Sequence, residues 1–479
     1  MSGTHDYDAH DALGLAEWVR KGDVTPRELL EIAIARVEER NPQINAVVIR
    51  MFEEARRAVE NGLPDSPLCG VPFLIKDLHA ACAGVRMTNG SRLFADFVSE
   101  RDCELVVRYR RAGLVLFGRS AAPEFGITTS TESVLFGQTR NPWRTTHSAG
   151  GSSGGAAAAV AAGILPAAHA SDGGGSIRIP AACCGLFGLK PTRARNPVGP
   201  VVGEGWSGMS GAHAITRSVR DSAALLDATQ GPELGAPYWA PPVQRAFLEE
   251  VRVDPGRLRI ALQLESFNGA PVHADCAQAA RDAAALCVTL GHEVEEARLE
   301  VDAAAFGLAI QVVIAANLLA ELADRAAALG RELAADDVEP GTYALAEAAR
   351  RVDASAYARS IVTLHAVGRQ VARFLERYDV ILTPTLATPP LELGRLALTN
   401  TDFERLTRDI TTTVGFTQVF NAAGNPAMSV PLSWNADGLP IGVQFAGRFG
   451  DEATLFRLAG QLESARPWFD RRPPLCSAA

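Results

Sequence analysis

Two serines set in glycine-rich loops and one lysine that closes an apolar run are the residues of this chain best suited to chemistry. The first loop reads Gly150-Gly151-Ser152-Ser153-Gly154-Gly155 and leads straight into an Ala-rich stretch. It matches G-x-S-x-G in two overlapping registers, around Ser152 and around Ser153, the pattern of a nucleophile elbow. A plain helix start capped by serine would read the same way. The second loop, Ser171-Asp172-Gly173-Gly174-Gly175-Ser176-Ile177-Arg178-Ile179-Pro180, sets three glycines before a serine. Glycines leave their N–H groups unobstructed, so these can turn together toward a developing negative charge, as an oxyanion hole requires. A flexible loop or an anion nest is the alternative, and the rigid Ile-Arg-Ile-Pro that follows fits flexibility poorly. Lys76 closes Val71-Pro72-Phe73-Leu74-Ile75. At an open strand end it would be a solvated cation. Buried, its ammonium loses hydration, its pKa falls from about 10.4 toward neutrality, and it becomes a base that needs no histidine.

Other motifs carry less. An α/β-hydrolase-like esterase would need an acid and a His after the elbow, and no downstream His sits in a distinctive motif. Gly203-Glu204-Gly205-Trp206-Ser207-Gly208 fits G-x-G-x-x-G but does not lie between a clear strand and an N-capped helix. There is no P-loop and no H-E-x-x-H, and the chemistry outlined above requires neither metal nor cofactor.

The elements that must hold these loops are legible in outline. From about Pro67, short apolar runs (VPFLIK, GLVLFG, GILPAAHA, GLFGLK) alternate with helical stretches, which predicts buried strands of an α/β sheet covered on both faces. The glycine-dense part lies between Gly150 and Gly211, and the catalytic core is expected at about 67–225. Residues 231–378 are Ala-rich and predict a peripheral helical layer that shapes substrate choice. YDVILTPT, NAAGNPAMSVPL and GLPIGVQFAG then return the chain to the sheet over about 379–447. Near the start, Thr25-Pro26-Arg27-Glu28 is a capping box with Pro at the first helical position, followed by the amphipathic Leu29, Leu30, Ile32, Ala33 and Val37. With no repeat or linker, one domain over 1–479 is the economical reading.

Composition narrows the function class. The 479 residues are 47% hydrophobic and 21% charged, a balance that buries a large core. The net charge of -9 comes with no basic run that could track a phosphate backbone, so nucleic acid is not expected as a direct partner. The start, MSGTHDYDAHDALG, lacks a basic stretch followed by an apolar one, and 156–170 is too short and too rich in Ala and Gly to span a bilayer comfortably. No membrane partner and a cytoplasmic location are therefore expected. Eight scattered cysteines without C-x-x-C read as small buried hydrophobes, and the sequence leaves a homodimer open.

Taken in order, GVPFLIKD with Lys76, the GGSSGG loop and DGGGSIRIPA resemble the amidase signature family, and 24 residues separate Ser152 from Ser176 as in that family. Further matches are APEFG at 122–126, TES at 131–133, GQTRNPW at 137–143, GLFGLKPT at 185–192, TPT at 383–385 and GLPIGVQ at 438–444. The resemblance implies a mixed central β-sheet with helices on both faces and hydrolysis of a small-molecule carboxylic amide to acid and amine. It implies Ser176 as nucleophile, Ser152 as bridging serine after a cis peptide bond, Lys76 as base, and backbone N–H groups of Gly173, Gly174, Gly175 and Ser176 as the oxyanion hole. Many members carry Thr where this chain has Gly173. SDGGGSIRIPA with CCGLFGLKPTR and GPVVGEGWSG is similar to the 6-aminohexanoate cyclic-dimer hydrolase subgroup, although the Ala-rich stretch around Asn317 offers no counterpart to a pocket cysteine expected there. Glu124, Phe125, Trp206 and Asn317 are the expected substrate-binding residues. The family also includes glutaminase subunits of tRNA-dependent amidotransferases, which more often read SIRQPA where Ile179 stands here, so a stand-alone amidase is the favoured reading.

Overall fold

In the computed structural model, which describes residues 7–476, the apolar runs form strands because both of their faces are covered. Every residue of β2 (Pro72–Lys76) is buried. Leu74 faces one hydrophobic cluster, while Phe73 and Ile75 face another on the opposite side. Successive strand residues alternate sides, so an unbroken apolar run is stable only between two layers.

Eleven strands make the central sheet. In chain order they are β1 (Val47–Arg50), β2, β3 (Val115–Ser120), β4 (Ala167–Asp172), β5 (Phe187–Lys190), β6 (Gly211–Thr216), β7 (Arg259–Leu262), β8 (Glu293–Glu296), β9 (Val380–Pro384), β10 (Ala427–Trp434) and β11 (Pro440–Gly447). Their spatial order is β1-β3-β2-β4-β6-β5-β10-β11-β9-β7-β8. The sheet is mixed. β3, β2 and β4 run parallel, as do β9, β7 and β8, and the strands between these groups pair antiparallel. Helix α1 (Pro26–Ile44) starts on the expected box, with Thr25 and Glu28 each capping the other's backbone. It shares a core with α2 (Gly154–Ala161), whose alanines are all buried.

The stretch 231–378 departs from the expected purely helical layer. It contributes β7 and β8, which extend one edge of the sheet in parallel register. Arg259–Leu262 is only four residues long, and Glu-Val-Glu-Glu of β8 has no apolar run because it lies at an edge. Neither leaves a strand signal in composition. The rest of the segment does form helices, among them α3 (Ala303–Ala328), α4 (Pro340–Ala349) and α5 (Ala354–Arg377). Of the described helices, α3 is the one long and apolar enough to cross a membrane; here Phe306, Ile310, Val313, Leu318 and Leu322 are buried against the rest of the chain.

Candidate active site

The alternation that buries β2 also aims its last side chain. Lys76 points to the same side as Leu74, under the start of α2. Its Nζ lies 2.7 Å from Ser152 Oγ and 3.0 Å from Ser171 Oγ. The lysine has no solvent exposure, and loss of hydration pulls its pKa down to about 7, partly opposed by the negative charge of Asp172. The backbone N–H of Lys76 donates to Nδ1 of buried His169 at 3.1 Å. Burial holds that imidazole near a pKa of about 3, so it stays neutral and an acceptor.

The loop before α2 separates its two serines. The Gly151–Ser152 peptide bond is cis. Ser152 turns its hydroxyl to Lys76, whereas Ser153 Oγ donates to the Ser171 carbonyl at 3.2 Å and accepts from the Ser171 N–H at 3.3 Å. One serine meets the amine and its neighbour ties the two glycine loops together. The G-x-S-x-G match could not choose between them.

The triple-glycine loop is closed by a buried clasp. Asp172, the last residue of β4, accepts from the N–H groups of Gly175 (2.7 Å) and Ile177 (3.1 Å) and from Arg178 at Nε and Nη2 (both 2.9 Å). Neither side chain of this pair is exposed. Burial alone would raise the Asp172 pKa, but Arg178 and Asn421 outweigh it and hold the carboxyl well below the usual range. Arg178 reaches on to Gln444 Oε1, Asn421 Oδ1 and the Thr417 carbonyl. Gly175 sits at φ +134°, where a side chain is strained, and a Cβ there would stand 2.6 Å from Ile179 Cδ1 and Thr417 Oγ1. Ser176 is left half-buried, and its hydroxyl bonds to no other described residue.

The four expected oxyanion donors are not equivalent. The Gly175 N–H is engaged by Asp172, which removes it from the set because an N–H already aimed at a carboxylate is turned away from a ligand. Those of Gly173, Gly174 and Ser176 have no partner among the described residues. Asp172 and Arg178 carried no expectation, although their signal was present: an acid and a base six residues apart bracket the glycines in an otherwise apolar stretch.

Of the residues expected at the substrate pocket, Glu124 and Phe125 are buried. The Glu124 carboxylate, 1% exposed, accepts from Ser91 Oγ (2.7 Å), the Glu339 N–H (2.8 Å) and Thr342 Oγ1 (2.5 Å). It fastens the start of α4, buried away from solvent. Phe125 is buried in a small core with Phe94, Leu318 and Leu322, stacked edge-on to Phe94. Trp206 and Asn317 are brought together. Ser207 Oγ and Tyr357 OH are 2.6 Å apart, and Asn317 Nδ2 donates to Tyr357 OH at 3.3 Å, so one polar chain links the Trp206 loop to α5 and α3.

The chain is similar to known proteins in sequence and in fold. The amidase family model matches residues 28–456. The 6-aminohexanoate-cyclic-dimer hydrolases of a Pseudomonas species and of Paenarthrobacter ureafaciens are 40% and 39% identical over 477 residues, covering 97% of this chain and 96% of each relative. A solved 6-aminohexanoate cyclic dimer hydrolase complexed with substrate superposes with a TM-score of 0.92 at 38% identity, covering 98% of this chain and 99% of that one. A bacterial aryl acylamidase of the amidase signature family superposes at 0.88 with 27% identity, over 98% and 99%.

Proposed function

The chain belongs to the amidase family, and from that premise we propose that Ser176 is its nucleophile, Ser152 its proton relay and Lys76 its base. The protein is an amidohydrolase that converts a carboxylic amide to acid and amine. The observation that carries the residue assignment is the buried contact of Lys76 Nζ with Ser152 Oγ at 2.7 Å. A neutral lysine has two N–H bonds and one lone pair. One N–H donates to Ser171 Oγ, and the lone pair accepts the proton of the Ser152 hydroxyl.

Acylation then proceeds in one direction along this line. Ser152 takes the proton of Ser176 as it gives its own to Lys76, and Ser176 Oγ forms a bond to the amide carbon. The carbonyl oxygen gains negative charge beside the N–H groups of Gly173, Gly174 and Ser176. As the tetrahedral centre collapses, the C–N bond breaks and the proton returns through Ser152 to the leaving nitrogen. Water reverses the route, releasing the acid. The Asp172–Arg178 clasp keeps the loop in place while charge comes and goes.

The likeness to cyclic-dimer hydrolases supports an aliphatic amide of an amino acid as the substrate class to try first. A glutamyl-tRNA(Gln) amidotransferase subunit from Thermotoga maritima superposes less closely, at a TM-score of 0.72 and 26% identity, so a glutaminase-type role is not favoured. An esterase of the α/β-hydrolase kind is opposed by the lysine, in place of histidine, on Ser152. Eight free cysteines support the cytoplasmic location, and a homodimer is retained as the assembly to test. Labelling with a fluorophosphonate and mapping the adduct tests the reading. The modification is expected on Ser176 and absent from Ser176→Ala, and an adduct on another serine would overturn it.

A further inference from the structure

The two glycines at the head of the oxyanion loop are overlain by side chains from distant parts of the chain. A Cβ built on Gly173 would stand 2.6 Å and 2.7 Å from Cε3 and Cζ3 of Trp206. One built on Gly174 would stand 3.4 Å from both Cγ and Nε2 of Gln418. Neither glycine has a left-handed φ, so at Gly173 space alone excludes a side chain.

Trp206 is held rigidly in that position. It and Ser207 both have positive φ, +49° and +53°, a conformation that non-glycine residues adopt only when their surroundings fix it. The fixing bonds are Arg193 Nε to the Gly208 carbonyl (2.7 Å), Asn421 Nδ2 to the Met209 carbonyl (3.1 Å) and Ser207 Oγ with Tyr357 OH (2.6 Å). The indole packs against the cluster that includes Met209 and Phe267 yet stays half-buried. Gln418 is half-buried too, and its carboxamide bonds to no other described residue.

We propose that Trp206 and Gln418 are specificity-determining walls of the acyl site, selecting amides whose carbonyl carries an unbranched methylene. This rests on the assignment of Ser176 as nucleophile. With the carbonyl carbon at Ser176 and its oxygen at the glycine N–H groups, the side chains over Gly173 and Gly174 flank the acyl group on that carbon. A methyl branch on the first carbon meets a fixed ring on one side. Gln418 is longer and flexible and yields more readily. Discrimination therefore falls chiefly to Trp206.

The test uses two p-nitrophenyl alkylphosphonates, one butyl and one 1-methylpropyl, with the adduct mapped by mass spectrometry. In each, Ser176 Oγ forms a bond to phosphorus, p-nitrophenolate leaves and the serine proton passes to the base, so the readout does not depend on knowing the cognate amine. The wild type is expected to react at least about tenfold faster with the butyl probe, the scale of discrimination a single carbon provides in a shaped pocket. Trp206→Ala is expected to cut that preference about tenfold while still reacting with the butyl probe, Trp206→Phe to keep most of it, and Gln418→Ala to lower it less. Labelling of Ser176 with no preference, or a preference unchanged in Trp206→Ala, overturns the inference and leaves the nucleophile standing. Failure of both probes to label Ser176 in the wild type overturns the nucleophile assignment and the inference with it.

Discussion

Lys76 Nζ and Ser152 Oγ stand 2.7 Å apart in a place where the lysine is 0% and the serine 2% exposed. An amine there gives up its proton near pH 7 because water no longer solvates the charge.

Activity should follow that proton. The value of kcat/KM is expected to rise with pH through about 7, as Lys76 becomes neutral, and then to level off. A pH–rate profile checks it, and a limb that falls across neutrality contradicts the assignment.

The same proton sets a stability prediction of definite sign. The folded pKa, about 7, lies below the unfolded value of about 10.4, so between these two pH values the unfolded chain binds more protons and stability rises with pH. Below pH 7 the protein bears the full cost of burying the ammonium, on the order of 5 kcal/mol at 1.36 kcal/mol per pKa unit. Lys76→Met should therefore be more stable than wild type at pH 6, and the gap should shrink as pH approaches 10. Denaturant melts at the two pH values measure it.

The two adjacent serines should part company. Ser152→Ala is expected to lower kcat by roughly 10²- to 10⁴-fold with little loss of stability. Ser153→Ala should instead cost about 1 kcal/mol, for its bonds to the Ser171 backbone, and leave most of kcat. Equal kinetic losses in the two variants would contradict the reading of the loop.

Breaking the clasp should be severe. Arg178→Met leaves the Asp172 carboxylate buried without its cation, a change that typically costs about 3–5 kcal/mol. Thermal melts should show it, together with loss of fluorophosphonate labelling at Ser176, because the loop carrying that serine hangs on Asp172.

Glu124 offers a contrast. Its carboxylate accepts three hydrogen bonds from other parts of the chain. Glu124→Ala should lower stability by about 2–3 kcal/mol through the donors left unpaired, while KM moves little. A large rise in KM in a stable variant would return Glu124 to the substrate pocket.

Features that depend on short-range pattern were legible along the chain. Unbroken apolar runs predicted strands buried on both faces, Thr25 to Glu28 predicted a helix start, and Lys76, Ser152 and Ser176 in order pointed to amide hydrolysis. Each is a matter of local periodicity, turn chemistry or motif spacing. Pairings across long separations had no such signal. Only the fold decided that Ser153 ties the two glycine loops together, that Asp172 draws the Gly175 N–H away from the expected donors, and that Glu124 and Phe125 are buried. Strands β7 and β8 escaped notice for the same reason, since a four-residue strand is stabilised by the neighbours it pairs with and not by its own side chains. Whether a polar group is catalytic or structural depends on which partners reach it through space, and the sheet order sets those partners.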